Sequence, residues 1–278
     1  VAAKAPVSLP SRPPQLCPGC SHIGIFYVLG KLGFSPRTSG DGNEPSAQSE
    51  NGAAATGRKK VRVVVAGDIG CYTLAVLPPL RAMDSCGCMG ASIGNAIGLY
   101  RAGVENKVIA VIGDSTFLHA GVPGIMEMVY NRAPITVLIL DNGVTAMTGH
   151  QGNPGSGVTA RGEQAHAINV AEVVRALGVE DVHVVDAYDI RALERTLRQV
   201  VQADQPSVVV VRRPCPLNAR FQDPPPTVDV DVCNNCGLCF RLGCPAMIRR
   251  DGKAYVDTNF CRGCLMCAQV CPREAIRL

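Results

Sequence analysis

Between Val61 and Val211 short apolar runs alternate with helix-period segments: VRVVVAGD, a small-residue segment, VIAVIGD, a helical stretch, ITVLILDN, another helical stretch, VHVVD and SVVVVRRP. Runs that stay apolar at successive positions suit strands covered on both faces, and strand-helix alternation places those strands in parallel with helices crossing over them. The predicted class is therefore α/β, a parallel sheet with helices on both faces. Residues 36–60 are polar and rich in Gly, Ser and Ala without any period, which predicts a disordered surface insertion. Residues 216–229, PLNARFQDPPPTVD, carry three consecutive prolines and predict a stiff linker. The division expected is 1–218 and 219–278, and the second piece is too short to bury a normal core without a staple.

Composition narrows the class. The chain has 278 residues, 47% of them hydrophobic, and a formal net charge of +4 with both signs scattered, so no strong field points to nucleic acid or to an anionic membrane. No apolar run approaches the ~20 residues that span a bilayer, and the opening VAAKAPVSLPSRPPQ lacks the apolar centre of a secretory signal. Of fourteen cysteines, eight stand in C-x-x-C spacings, which suits metal or cluster binding in a reducing compartment, with a cytoplasmic location expected. The first residue is Val rather than Met, consistent with a processed chain or a piece of a longer product.

The staple of the second piece is legible. Cys233-x2-Cys236-x2-Cys239-x4-Cys244-Pro245 is followed by Cys261-x2-Cys264-x2-Cys267-x3-Cys271-Pro272. Two such runs match the two-cluster ferredoxin pattern, in which each cluster takes three thiolates from one run and its fourth from the other. Cys233, Cys236, Cys239 and Cys271 are expected to hold one 4Fe-4S cluster, and Cys244, Cys261, Cys264 and Cys267 a second. The first run is one residue longer than usual before its Cys-Pro. Zinc would use two C-x-x-C pairs per site, whereas each run offers three regular thiols and a Cys-Pro.

At the carboxyl ends of two successive strands stand Gly113-Asp114-Ser115 and Asp141-Asn142-Gly143. If the strands are neighbours, a carboxylate and an amide oxygen meet at the edge where open α/β sheets bind ligands. These are hard donors suited to Mg²⁺, and a helix starting near Thr116 directs free N–H groups at an anion. An Asp in this position also serves simply to cap the following helix. In MGASIGNAIG, Gly90, Gly94 and Gly98 recur every four residues and give a helix a bare face, for a cofactor or for ordinary tight packing.

The GDS and DN pair resembles the thiamine diphosphate motif, GDG followed roughly 25 to 30 residues later by Asn. That resemblance implies Mg²⁺ on Asp114, Asn142 and the carbonyl of Val144, with Ser115 replacing the second Gly of the motif. The wider segments LCPGCSH, GDIGCYTL, CMGASIG, GDSTFLHAG, LDNGVTAMTGHQ and RRPCPL, joined to a two-cluster ferredoxin module, resemble the α subunits of the indolepyruvate ferredoxin oxidoreductase family. The likeness implies a parallel-sheet thiamine diphosphate-binding domain and a small ferredoxin-like α+β domain. It further implies oxidative decarboxylation of an arylpyruvate to an acyl-CoA, the cofactor carrying the hard chemistry and 4Fe-4S clusters passing electrons to ferredoxin. Pyruvate or 2-oxoglutarate as substrate, and an electron-transfer subunit without catalysis, are the competing readings; the presence of both Asp114 and Asn142 weighs against the last.

Gly90, Ser92, Gly113, Asp114, Ser115, Asn142, Val144, Thr145, Met147 and Thr148 form the expected cofactor-binding set, with Gln151 on the same loop. His22, His119 and His150 lie in family-like segments, each more simply read as a hydrogen-bonded structural residue. The pair Cys17 and Cys20 by itself fits zinc, a redox dithiol or buried thiols. The resemblance makes Cys17, Cys20, Cys71 and Cys215 the ligands of a third 4Fe-4S cluster, leaving Cys86 and Cys88 as buried thiols near the site. The Glu that activates thiamine diphosphate belongs, in that family, to a pyrimidine-binding domain that is not found here. The expected partners are thus such a domain, a smaller β subunit, ferredoxin, the 2-oxoacid and coenzyme A, in a hetero-oligomer.

Overall fold

The computed structural model describes residues 13–32 and 63–278; the 36–60 segment read as an insertion lies outside the described residues. Six strands form one parallel sheet: β1 (Val63–Gly67), β2 (Ser85–Cys86), β3 (Lys107–Gly113), β4 (Thr136–Asp141), β5 (Asp181–Asp186) and β6 (Ser207–Arg212). Their order across the sheet is β2-β1-β3-β4-β6-β5. The continuously apolar runs are the inner strands, with every residue after Lys107 in β3 buried. β5, at an edge, alternates and leaves Val184 exposed. β2 has only two residues, both exposed, and carries no periodic signal in the sequence.

Helix α1 (Ile23–Lys31) covers one face of the sheet and α2 (Ala91–Arg101) the other. After β3 the chain turns directly into α3 (Asp114–Thr116), continues through a π-helical turn at Phe117–Gly121, and runs on as α4 (Val122–Tyr130). The helix thus begins at Asp114 itself, two residues before the expected start, and the π turn buries Phe117 against the sheet. α4 and α5 (Val170–Ala176) share the α2 face, and α6 (Ile190–Val200) joins α1. In α6, Ile190, Leu193, Leu197 and Val200 fall at helical spacing and are all buried. Each contributes about 1.5–3 kcal/mol, against at most about 1 kcal/mol for the exposed Lys31–Glu194 ion pair that also joins α1 to α6. The apolar stripe therefore decides the docking.

The C-terminal part has little regular structure. β7 (Thr227–Val228) pairs antiparallel with β10 (Ile276–Arg277), β8 (Met247–Arg250) with β9 (Lys253–Val256), and α7 (Met266–Gln269) is one turn. Its buried cluster includes Cys233, Cys239 and Cys261 themselves. Leu242 and Met266 are buried in the α1/α6 core, and Cys244, Cys264 and Cys267 pack on it, so this part is seated on the sheet domain. The 216–229 stretch is less linker-like than its prolines suggest. A turn folds Ala219 and Phe221 back onto Cys215 and Pro216, Phe221 packs on Tyr188, and β7 lies within the stretch. Among the described residues no helix is long and apolar enough to cross a membrane.

Candidate functional site

Because β1, β3, β4 and β6 are parallel neighbours, their following residues emerge at one edge, and these are Asp68, Asp114, Asn142 and the Arg213–Cys215 segment. Register pairs Gly113 with Leu140 and Asp141 with Arg212. The buried Asp114 carboxylate accepts hydrogen bonds at Oδ2 from Gly143 N (3.1 Å) and Asn153 Nδ2 (2.9 Å). Burial pushes its pKa up to about 6, the response of a carboxylate taken from water without a full counter-charge. Asn142 Oδ1 accepts from Val144 N at 3.1 Å, and its Nδ2 lies 3.4 Å from His22 Nε2. An amide nitrogen only donates, so Nε2 is the acceptor on a neutral ring, in keeping with burial that lowers the His22 pKa to about 4.

Ser115 and Thr145 meet, the Thr145 hydroxyl donating to Ser115 Oγ at 2.8 Å. Thr145 bridges Gln151 through backbone bonds, while Thr148 Oγ1 and Gln151 Oε1 are 2.5 Å apart and Gln151 Nε2 donates to Thr148 O at 2.8 Å. Met147, Thr148 and Gln151 face outward from this turn. His119 and His150 are exposed, and of the three histidines only His22 reaches the site.

Three further residues, Asp68, Tyr72 and Asn153, shape the site. Asp68, fully buried, accepts from Gly90 N (2.8 Å), Ser92 Oγ (3.1 Å) and the Tyr72 hydroxyl. Tyr72 in turn accepts from Gly113 N at 3.0 Å. Asp68 thus braces the start of α2 against the end of β3. The signal available was its Gly-Asp at a strand end, the same as at Asp114. Asn153, the third, holds Asp114 from a loop with no period. Gly90 has φ +89° and a Cβ there would stand 2.6 Å from Ala120 Cβ, so the turn requires glycine. Among the described residues nothing comes within 4 Å of where a Cβ would stand on Gly94 or Gly98.

The fold gathers the cysteines into three sets. Cys20 lies within electrostatic reach of Cys17, Cys71 and Cys215, and Cys17 and Cys71 of Cys215. Burial first, then these neighbours, raise all three pKa values. Cys215 is tied to the sheet edge by its N–H to Asn142 O at 3.0 Å. In the C-terminal part, Cys239 is coupled to Cys233, Cys236 and Cys271, and Cys267 to Cys244, Cys261 and Cys264, so the sets cross between the two runs. Burial, helped by these neighbours, pushes Cys239 and Cys264 each up to about 11. Cys233, Cys236, Cys239 and Cys271 line one small pocket open to solvent, and Cys244, Cys261, Cys264 and Cys267 line another. Crowded thiols that raise one another's pKa fit a group bound as thiolates with positive iron between them. Among the described residues no three His, Cys, Asp or Glu side chains close on a single metal ion. Cys86 and Cys88 are exposed rather than buried, because the edge strand β2 and the loop after it have no strand beyond them.

Comparison with known proteins gives two family matches. Residues 68–211 match the family model "Thiamine pyrophosphate enzyme, C-terminal TPP binding domain", and residues 254–277 the "4Fe-4S binding domain". The chain is 38% identical over 271 residues to indolepyruvate oxidoreductase subunit IorA of Methanothermobacter marburgensis, covering 97% of this chain and 40% of that one. It is 40% identical over 290 residues to the IorA subunit of Pyrococcus abyssi, covering 96% and 41%. It therefore spans about two fifths of the length of the curated relatives it matches. The solved structure of 2-oxoglutarate:ferredoxin oxidoreductase from Magnetococcus marinus shares the fold, with TM-score 0.59 and 17% identity over 74% of this chain and 66% of that one. A sheet edge presenting Asp114 and Asn142, and a family match across more than half of the residues, lead to one conclusion: the chain belongs to the thiamine pyrophosphate enzymes, through their C-terminal TPP binding domain.

Proposed function

We propose that the chain is the diphosphate-binding and electron-carrying part of a thiamine diphosphate-dependent 2-oxoacid:ferredoxin oxidoreductase, converting an arylpyruvate such as indolepyruvate to an acyl-CoA. The observation that carries this reading is the gathering of Cys17, Cys20, Cys71 and Cys215 at the same sheet edge as Asp114 and Asn142. An electron acceptor next to a diphosphate site has a use in oxidation and none in simple group transfer. On this reading Asp114, Asn142 and the Val144 carbonyl hold Mg²⁺, and Ser115 with Thr145 faces the diphosphate. Thiamine diphosphate, when bound, supplies the carbanion chemistry of decarboxylation. His22, neutral and buried, fixes the Asn142 amide so that its oxygen stays on the Val144 side. The Cys215 N–H to Asn142 O bond ties the first thiol set to the metal loop. Each of the three sets takes one 4Fe-4S cluster, with residues 1–218 as the cofactor domain and 219–278 as the ferredoxin-like domain. A pyrimidine-binding domain with the activating Glu, a β subunit, coenzyme A and ferredoxin complete the reaction, in the cytoplasm.

Anaerobic iron and sulfide analysis of the assembled complex is expected to return about twelve irons assignable to this chain, four per cubane. Thiamine diphosphate binding is expected to depend on Mg²⁺ and to weaken on the order of 100-fold in Asp114→Asn, with iron content kept. About eight irons, unchanged in Cys17→Ser, would remove the third cluster from the reading. A higher kcat/KM for pyruvate or 2-oxoglutarate than for indolepyruvate would overturn the substrate.

A further inference from the structure

Five buried side-chain polar atoms lack a hydrogen-bond partner among the described residues: Ser21 Oγ, Thr136 Oγ1, Arg213 Nε, Asn235 Oδ1 and Arg262 Nε. Arg213 Nε still stands 3.5 Å from the Asp186 carboxylate; each of the others costs about 1–3 kcal/mol, so folded proteins keep few without a reason. Four of the five adjoin a thiol set. Ser21 follows Cys20, Arg213 precedes Cys215 by two residues, Asn235 sits between Cys233 and Cys236, and Arg262 follows Cys261.

Arg262 combines the most independent observations. Its side chain packs on the Cys17–Cys20 loop, where a Cβ on Gly19 would stand 2.8 Å from Arg262 Cβ. Gly19 itself has φ +67°, so the loop is shaped to let Arg262 approach. Arg262 also lines the space bounded by Cys244, Cys261, Cys264 and Cys267. Its charge lies within electrostatic reach of Cys17. Its NH1 donates to the neutral Gln222 amide at 2.9 Å, and among the described residues no carboxylate stands at ion-pair distance from it. A cation half removed from water, without a carboxylate and with an unused N–H, calls for negative charge nearby.

We propose that Arg262 is a positioning residue for electron passage, a fixed cation between the Cys17/Cys20/Cys71/Cys215 set and the Cys244/Cys261/Cys264/Cys267 set whose free Nε–H serves the sulfur of the group held there. This rests on the cluster reading above. Adding an electron makes a cluster more negative, so a cation beside both sets favours the reduced state of each and keeps their potentials close. The step is a one-electron transfer from the first set to the second, with no bond made or broken and no proton required.

The test is potentiometry monitored by EPR on the full complex, in the parent protein, Arg262→Gln and Arg262→Lys, with iron counted first. A parent complex without iron in these sets would fail the cluster reading before any variant is compared. In Arg262→Gln both neighbouring sets are expected to lose about tenfold in electron affinity, ~59 mV for a one-electron couple. Arg262→Lys keeps the charge without the Nε donor and should show a smaller shift of the same sign. The Cys233/Cys236/Cys239/Cys271 set should not move in either. Unchanged potentials in iron-replete variants, or an equal shift at all three sets, would overturn the proposal. Should Arg262→Gln fail to load iron, Arg262→Lys decides by the same two outcomes.

Discussion

Tyr72 shows how one side chain can set the geometry of a site it does not contribute to chemically. Its hydroxyl donates to the buried Asp68 carboxylate and accepts from Gly113 N, the residue before Asp114. Tyr72→Phe would leave the Gly113 N–H without an acceptor and Asp68 with one donor fewer, two deficits of about 1–3 kcal/mol each. Denaturant unfolding should therefore show a loss of about 2–6 kcal/mol; an unchanged midpoint would mean that neither group depends on the hydroxyl. At this scale the sequence was legible where a residue type has one use at one place. Asp114 and Asn142 stand out in the sequence because a carboxylate and an amide at successive strand ends resemble a metal-binding pattern. Asp68 stands in the same Gly-Asp context, but its role is not legible there because its partners, Gly90, Ser92 and Tyr72, lie up to 24 residues away. Asn153 was invisible for the same reason: its role depends on a loop returning to Asp114.

The elements followed from periodicity wherever they were long enough to show it. The inner strands coincide with the apolar runs, and the amphipathic α6 announces its buried stripe. Its start is set by Asp189, whose side chain accepts from Ala192 N at 2.9 Å. Asp189→Ala is expected to cost about 1 kcal/mol, the usual worth of an N-cap, read as a lower thermal midpoint; a change several times larger would mean that Asp189 does more than cap. Elements shorter than one period gave no signal. β2, the π turn and the one-turn α7 depend on contacts made by other segments, so the thiols at the β2 edge were expected to be buried and are exposed. The helix after β3 starts two residues before Thr116, because Asp114, which reads as a cap, is the first helical residue.

At the scale of the whole molecule the two parts are held by different forces. The sheet domain has two extensive apolar clusters, one on each face. The C-terminal part has a small cluster in which thiols make up much of the buried surface. Where thiolate ligands replace a core, metal binding free energy becomes folding free energy. Removing iron with a chelator under reducing conditions should therefore release amide protection in the β8–β9 hairpin while β3 and β4 stay protected, as hydrogen exchange would report. Full protection of that hairpin in the iron-free protein would refute this view.

By itself the sequence determined the strand-helix alternation, the apolar surfaces that make a parallel sheet, and the two cysteine runs, because these depend on residue type and local spacing. Only the tertiary structure decided that Cys86 and Cys88 lie exposed, that Asp68 braces the site through Tyr72, and that Arg262 packs on the Cys17–Cys20 loop. Those arrangements join segments distant in the chain, from the Cys17–Cys20 loop to Cys215 and Arg262. Distance along the chain carries no information about such meetings until the sheet fixes where its edges lie.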